Sequence, residues 1–307
     1  MFIKRNIQDI GIYSLCSHFA LIFMQYFENF IKKMKTLKFF LALFASALFA
    51  SEGVAQNSVQ LSDIEMVNMG DKQLYAHKRG DYASPVEGKT RIITGVTTEY
   101  IDAEFAAGFA TGKWEYYANN KKTVVMNYKN GYLDGEYSKF YPGGDLEIKG
   151  QYIKARKDGT WETFKSDGII KLTEVFENDS RIKTITYFID GTVDRERNFK
   201  NGKEHGVDRR YVFEGGLKSE KNYSNGKQVG PQLQYYSSNA GNYIQKSNYN
   251  EQGKLDGAFS ETYDEGGAFK VKGQYKDGRK VGKWTYENKK GKSIKVETYE
   301  NGKLVGK

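Results

Sequence analysis

The sequence predicts an all-β protein whose main part is an elongated single antiparallel sheet, or solenoid, of tandem β-hairpin repeats of about 24 residues. Three observations support this fold class. An aromatic anchor recurs at nearly constant spacing, two glycines usually follow it four residues apart, and short runs of aromatic and β-branched residues separate them. A fixed period of this length is the signature of a repeat protein.

The aromatic anchors define nine units from residue 105 onward, the last of them incomplete. Successive anchors are 23 to 26 residues apart. They are Phe105, Tyr128, Tyr152, Phe176, Phe199, Tyr223, Tyr249, Tyr275 and Tyr299. The unit from Tyr152 has Ala155 in place of its first glycine, and the unit from Phe176 lacks both glycines and is the most degenerate.

The glycines indicate turns. Asn-Gly and Asp-Gly pairs recur, as in Asn130-Gly131 and Asp134-Gly135. Glycine reaches positive φ without steric cost, and Asn-Gly between alternating runs is a strong hairpin signal. Each unit is therefore predicted to be a hairpin of two strands that stacks on its neighbours, because one hairpin cannot bury enough surface alone. A closed propeller needs blades of about 40 residues, so these units are too short for it.

The spacing of aromatics within the strands leaves two alternatives. Trp114 and Tyr117 are three residues apart, as are Trp161 and Phe164. In a regular strand this spacing puts the two rings on opposite faces. Either both faces of the sheet carry aromatics, or a bulge brings the rings to one face.

The Tyr-x-x-Gly-x-x-x-Gly-x-Trp unit resembles the MORN repeat, in the longer variant common in bacteria. The resemblance covers roughly residues 105–307. Bacterial chains of this type are similar to the YwqK-type antitoxin family, which implies a partner protein. Eukaryotic MORN repeats resemble modules that scaffold proteins and have been credited with binding acidic phospholipids, which implies such a partner as well.

The segments beside the array are less regular. Residues 56–104 are expected to cap the stack, because repeat arrays need atypical terminal units. Within them, Val59–Met69 is expected to form a strand or a brief helix, Asp71–Pro85 a loop, and Thr90–Phe105 a degenerate hairpin. At the other end the last unit is expected to lack strands, which leaves the hairpin around Trp284 and Val296 as an exposed edge.

The N-terminal region predicts export. Residues 34–55 combine a basic start, an apolar run of about a dozen residues and small residues before Gln56, as a bacterial signal peptide does. Residues 1–33 are interpreted as an untranslated or extra extension, with a long basic leader region as the alternative. Cleavage before Gln56 would remove Cys16, and would place the mature protein in the periplasm, at the cell surface or outside the cell.

Composition argues against several partners and chemistries. Residues 1–55 hold six Lys or Arg and three Asp or Glu, so the net charge falls from +9 to +6 on cleavage. No run of five Lys or Arg occurs, which argues against nucleic acid. His77 and His205 stand in unlike contexts, and no nucleophile motif or metal-ligand spacing is present. We therefore expect no enzymatic activity, no metal and no cofactor.

One recurrent aromatic position separates the remaining functions. It lies two residues after the second glycine of a unit, is called the slot here, and is filled by Trp114, Tyr137, Trp161, Phe259 and Trp284. Aromatic burial is the main source of stability in such hairpins, so packing between units is the expected role. The slot holds Ile185, Asp208 and Gln232 in three other units. Residues 199–248 are therefore expected to pack thinly, and to bend or contact a partner.

Two function classes follow from these features. The first is an exported scaffold that binds a protein partner, or an acidic lipid headgroup, through its repeats. The second is a glycan-binding array whose slot aromatics stack on sugars. A strict antitoxin role meets a physical objection, because an exported protein cannot neutralise a cytosolic toxin. An immunity-like role against a secreted toxin would remain.

Overall fold

A computed structural model describes residues 57–237, 241–263 and 267–307. The predicted leader, residues 1–33 and Cys16 lie outside the described residues. The described chain forms one sheet of 25 strands, and nearly all neighbouring strands are antiparallel. This confirms the predicted all-β array of tandem hairpins.

Five strands precede the array of regular units. They are β1 (Asn57–Gln60), β2 (Ile64–Asn68), β3 (Leu74–Lys78), β4 (Asp81–Pro85) and β5 (Gly88–Ile93). A short 3-10 turn, Leu61–Asp63, separates β1 from β2. β1 pairs in parallel with β5, whereas β2, β3 and β4 pair antiparallel in sequence.

The following strands carry the repeats. The first ten are β6 (Tyr100–Ala106), β7 (Phe109–Ala118), β8 (Lys121–Lys129), β9 (Tyr132–Phe140), β10 (Leu146–Ile153), β11 (Arg156–Phe164), β12 (Ile170–Glu177), β13 (Ser180–Tyr187), β14 (Val193–Lys200) and β15 (Lys203–Glu204). The last ten are β16 (Gly206–Tyr211), β17 (Leu217–Ser224), β18 (Lys227–Gln228), β19 (Gly230–Tyr236), β20 (Tyr243–Tyr249), β21 (Gly257–Tyr263), β22 (Phe269–Lys276), β23 (Arg279–Glu287), β24 (Ser293–Glu300) and β25 (Lys303–Gly306).

Tight turns at the position of the first glycine join the two strands in eight of the nine units, and the unit from Tyr249 has a longer turn over residues 250–254. Asn130 and Gly131 both have positive φ, at 51° and 82°. Positive φ at both central residues is the requirement of a type I′ hairpin turn. Lys154 and Ala155 adopt the same region without a glycine, with φ of 46° and 58°. The turn geometry therefore persists where the sequence signal is lost.

These turns form a row, called the turn row, in which six turns are bonded to the preceding unit. The N–H at or after the turn donates to a backbone carbonyl of the preceding unit, at 2.7–3.0 Å. The donor–acceptor pairs are Gly131–Ala110, Ala155–Leu133, Asp179–Lys157, Gly226–Glu204, Gly278–Leu255 and Gly302–Lys280. Most units are thereby coupled to a neighbour, as the repeat model requires.

The second glycine of a unit does not form a hairpin turn. Gly135 and Gly159 lie inside β9 and β11, and both have positive φ. At each of these positions three residues of one strand face a single residue of its partner. The Asp-Gly pairs at 134–135 and 158–159 therefore mark bulges, which correct the turn assigned to them from sequence.

Both faces of the sheet carry aromatics, which resolves the spacing question. Trp114 contacts Tyr116 and Tyr128, at ring centroid distances of 6.5 and 4.7 Å. Tyr117 instead stacks on Tyr100 at 4.6 Å, and its hydroxyl donates to Glu115. The three-residue spacing thus divides the rings between the two faces.

The segment 71–85 is not a loop, contrary to the sequence-based expectation. It contributes β3 and β4, and β3 crosses the first turns of the row. The N–H of Leu74 donates to the Gly131 carbonyl, and that of Ala76 to the Gly108 carbonyl. Ala76, Ile92 and Trp114 lie in the buried apolar cluster that forms beneath this segment. The hairpin predicted over Thr90–Phe105 is present as β5 and β6.

The final unit also differs from expectation. β25 pairs antiparallel with β24, so the last unit does contribute a strand. The hairpin around Trp284 and Val296 is therefore followed by a further strand and is not the edge of the described sheet.

Candidate functional site

The slot aromatics pack between units. Trp114, Trp161 and Trp284 are 1%, 5% and 1% exposed, whereas Tyr137 and Phe259 are half-buried. Around Trp161 and Trp284 the indole lies among rings of its own and neighbouring units. The ring centroids of Tyr137, Tyr152 and Phe176 lie 5.4, 5.0 and 6.4 Å from that of Trp161. Those of Phe259, Tyr275 and Tyr299 lie 5.7, 5.1 and 6.3 Å from that of Trp284.

Each slot tryptophan faces a very small residue on the partner strand. The facing residues are Ala103, Gly150 and Gly273. A methyl group built on Gly150 or Gly273 would collide with the indole ring. The sequence carries this signal, because each small residue stands eleven positions before its tryptophan.

Lysines cover the rings that this packing leaves near the surface. Lys157 Nζ lies 4.1 Å from the Trp161 ring centroid and 5.0 Å from that of Phe176. Lys280 Nζ occupies the same position over Trp284, at 4.2 Å. A cation over an indole face is an attractive contact. Burial and these lysines together leave no open tryptophan face on which a sugar could stack.

Two slots between these clusters hold buried polar side chains. Asp208 is 5% exposed and accepts two hydrogen bonds from the Arg195 guanidinium, at 2.8 and 2.7 Å. The bond to Asp208 raises the pKa of Arg195. Gln232 is 8% exposed, accepts from the Asn222 N–H and donates to the Val229 carbonyl. These units are called polar-slot units, and those with Trp, Tyr or Phe in the slot are called aromatic-slot units.

This arrangement corrects the expectation that packing thins at Asp208 and Gln232. Both positions are as enclosed as the aromatic slots, but hydrogen bonds replace ring contacts. A bidentate Arg–carboxylate pair has the geometry and charge to satisfy a buried acid.

In the degenerate unit from Phe176, the buried slot residue is not Ile185, which the sequence predicts. Its bulge contains one extra residue instead of two, because Val175 pairs with Lys183 and Phe176 with Arg181. One extra residue reverses the alternation of faces, whereas two preserve it. Thr184 is therefore the buried residue, at 3% exposure, and Ile185 is only half-buried.

Asparagine side chains bind the bulge in four of the five complete units without tryptophan. Each side-chain amide donates to a backbone carbonyl of the partner strand, at 2.5–2.9 Å. The pairs are Asn127–Glu136, Asn198–Val207, Asn222–Pro231 and Asn248–Asp256. Sequence reasoning missed these residues, although each stands directly before an aromatic anchor.

Three exposed apolar side chains of the array gather opposite the tight turns. Ile189, Val212 and Phe213 are 75%, 42% and 53% exposed and lie in the connections 188–192 and 212–216. The rings of Phe188 and Phe213 meet edge to face at 5.4 Å, so the two connections are neighbours. Together these four residues are called the apolar patch.

Two cavities lie beside the apolar patch and share Arg210 and Lys218 in their walls. The first has a volume of about 320 Å³ and is lined by Phe188 and Phe213. The second has a volume of about 190 Å³ and is lined by Lys221 and the Arg195–Asp208 pair. The two cavities with the apolar patch are called the groove.

His77 is buried and makes structural contacts. His77 is 5% exposed, its Nδ1 lies 2.8 Å from the Lys78 carbonyl, and its ring packs against Tyr82. Across residues 57–237, 241–263 and 267–307, no group of three or more His, Cys, Asp or Glu is placed to hold a metal ion.

Two carboxylates have strongly lowered pKa values, and both serve structural contacts. Burial alone would raise the pKa of Glu115, but hydrogen bonds from Lys113, Lys122 and Tyr117 lower it to about 2. Hydrogen bonds from Lys295, Tyr286 and Tyr299 lower the pKa of Glu297 to about 2.

No protein-family model and no curated protein matches the chain. A solved structure, "Crystal structure of GtfA/B complex bound to UDP and GlcNAc", shares 14% identity over 47% of this chain with a TM-score of 0.18. The match spans 28% of that chain. Within the described residues, no helix has the length and apolar character to cross a membrane.

Proposed function

We propose that this protein is an exported, non-enzymatic interaction scaffold that binds a protein partner through its repeat surface. The observation that carries the proposal is the apolar patch. Three large hydrophobic side chains there are between 42% and 75% exposed on adjacent connections. Contiguous exposed apolar surface with polar surroundings is typical of a protein interaction site.

The repeat architecture supports the same function. Most units are bonded to a neighbour through the turn row, so the array holds surface side chains in fixed register over many strands. Repeat arrays of this kind use extended surfaces for binding. The resemblance to the YwqK-type family adds an immunity-like role toward a secreted protein as a specific form of this proposal.

The glycan alternative has less support. It depended on exposed slot aromatics, and Trp114, Trp161 and Trp284 are at most 5% exposed. An acidic-lipid partner remains an alternative, since exposed apolar and basic side chains also suit a membrane surface.

A pull-down tests the proposed function. The full chain would carry a C-terminal tag, and the envelope fraction of the cells that make it would be passed over it. We expect a protein to be retained by the wild type and lost with the Phe213→Ser variant. Tyr82→Ser is the matched control, because Tyr82 is 55% exposed but lies far along the chain from the patch. Retention on polysaccharide or on anionic vesicles without any protein would overturn the proposal.

Export is tested separately by N-terminal sequencing of the protein from the envelope or the medium. We expect Gln56 as the first residue. Protein that begins at Met1 or Met34 in the cytosol would contradict export.

A further inference from the structure

The groove combines two surfaces of different chemistry. At one end lie the rings of Phe188 and Phe213 and the exposed Val212. At the other end lies the small cavity whose wall includes Lys221. Arg210 and Lys218 line both cavities and so connect the two ends.

The basic end has more positive charge than its own carboxylates neutralise. Arg195 is engaged by Asp208 through two hydrogen bonds. Among the described residues, Arg210, Lys218 and Lys221 have no ion pair or hydrogen bond with another side chain. The cavity walls hold four cationic residues and two carboxylates, Asp208 and Asp194, so the net charge is +2. Asp194 is itself bonded by the Thr186 hydroxyl, at 3.1 Å.

Strand pairing fixes these cations close to one another. Arg210 of β16 lies directly opposite Arg195 of β14 and opposite Ser219 of β17. Lys221 of β17 lies opposite Asp208 of β16. Elsewhere in the array some lysines are paired across strands, as Lys149 is with Glu162 at 2.6 Å and Lys272 with Glu287 at 3.1 Å. Among the described residues, Arg210, Lys218 and Lys221 form no such ion pair.

We propose that the groove is the docking site for an acidic peptide segment of the protein partner, with carboxylates at Arg210, Lys218 and Lys221 and a neighbouring apolar side chain on the Phe188–Phe213 pair. This rests on the proposed scaffold function and names the chemistry of its partner. Guanidinium and ammonium groups recognise carboxylates through charge-assisted hydrogen bonds. An aromatic pair in a partly enclosed site is a typical anchor point for an apolar side chain.

The concave shape of the two cavities favours a peptide over a flat membrane surface as the bound partner. They are concave, with volumes of about 190 and 320 Å³, and the cationic side chains line their walls. A peptide can place separate side chains into two neighbouring depressions, whereas a bilayer interface contacts mainly protruding groups.

Peptide binding to the full chain tests this proposal. The probe is a short fluorescein-labelled peptide with glutamates in one half and phenylalanine and leucine in the other, and the readout is fluorescence anisotropy at low salt. Comparison peptides replace the glutamates by lysines, or the apolar residues by serines. We expect binding of the probe, and weaker binding of both comparison peptides.

Paired charge reversals locate the binding. Arg210→Glu with Lys218→Glu is expected to weaken binding of the probe about tenfold or more, because the site then carries the same charge as the glutamates of the probe. Lys129→Glu with Lys171→Glu is the matched control, because both lysines are exposed strand residues outside the groove. The control is expected to change affinity less than about twofold. Far-ultraviolet circular dichroism verifies that each variant is folded.

The outcomes separate this proposal from the scaffold function. Equal weakening of probe binding by both double variants, or tighter binding of the lysine peptide, would overturn the groove as the docking site. Binding of anionic phosphatidylglycerol vesicles without binding of the peptide would overturn it as well. If the pull-down still retains a protein partner with Arg210→Glu and Lys218→Glu, the scaffold stands and the groove fails. If the wild type retains no protein, the scaffold itself fails.

Discussion

The aromatic-slot units and the polar-slot units use one backbone frame with different interiors. Around Trp161 and Trp284, rings from neighbouring units enclose an indole against a glycine. Around Asp208 and Gln232, the enclosed group is hydrogen-bonded to Arg195 or to the backbone. The turn row and the bulges recur in both, so the backbone carries the repeat and the slot determines how each unit is stabilised.

The difference also divides structural from binding roles. In the aromatic-slot units the slot is filled by rings and covered by lysines such as Lys157 and Lys280. In the polar-slot units Arg195 pairs with the buried Asp208, while Arg210, Lys218 and Lys221 line open cavities. The region expected from sequence to contact a partner, residues 199–248, therefore coincides with much of the proposed groove.

The largest effect is expected in an aromatic slot. Trp161→Ala should lower the free energy of unfolding by about 3–5 kcal/mol, because a buried indole is removed and the strand cannot close over the space. Denaturant unfolding followed by circular dichroism measures it. Tyr235→Ala, which truncates a ring that is 39% exposed, should cost less than about 1 kcal/mol. Similar losses in both variants would mean that the slot has no special role.

The polar slot should respond to charge, not to volume. Asp208→Ala should cost about 3 kcal/mol, since it leaves the Arg195 guanidinium without its partner in a largely enclosed place. The double variant Arg195→Met with Asp208→Leu should recover most of that loss, because apolar groups of similar size need no partner. Chemical denaturation of both variants tests this. A double variant less stable than Asp208→Ala would show that the ion pair itself stabilises these units.

Substitutions at two turn glycines distinguish the cost of backbone strain from the cost of steric contact. Gly131 and Gly226 both have φ of +82°, but only at Gly131 would a methyl group meet Gln73, Leu74 and Phe109. Gly226→Ala should cost about 1 kcal/mol for the left-handed conformation. Gly131→Ala should cost about 2 kcal/mol because it also displaces β3.

Hydrogen exchange distinguishes how far the damage at these turns extends. Loss of protection should be local and should fade with distance along the units, because coupling is between neighbours. In Gly131→Ala it should include β3. Uniform loss of protection over the whole chain would contradict nearest-neighbour coupling.

The smallest effect concerns acid. The folded-state pKa of Glu115 is about 2, below its ordinary value of 4.5. Because the pKa is lowered by folding, its stabilisation is fully present above about pH 4.5 and is lost as the pH falls toward 2. Glu115→Gln should remove a contribution on the order of 1 kcal/mol at neutral pH, given partial screening. Unfolding measured at about pH 6 and about pH 3 should show a smaller pH difference in the variant than in the wild type.

The sequence specified the repeat because its signals are local. The aromatic anchors and the Asn-Gly turns, such as Asn130-Gly131, act within a few residues, and the spacing of 23 to 26 residues followed directly. Burial at the slot was also predictable, since a position that alternates Trp, Tyr and Phe behaves as a core position. Tyr137 and Phe259 fit that pattern, although they are only half-buried.

Pairing between distant residues was decided only by the tertiary structure. Residues 71–85 carry no strong strand pattern, yet β3 forms because Leu74 and Ala76 bond to turns more than thirty residues later. Thr184 replaced Ile185 because one missing bulge residue reversed the faces of β13, which depends on the register with β12. Asp208 is enclosed because Arg195 lies on the adjacent strand. Local signals determine the turns and strands. Strand register and charge pairing depend on which strands become neighbours, and local sequence patterns do not specify those neighbours.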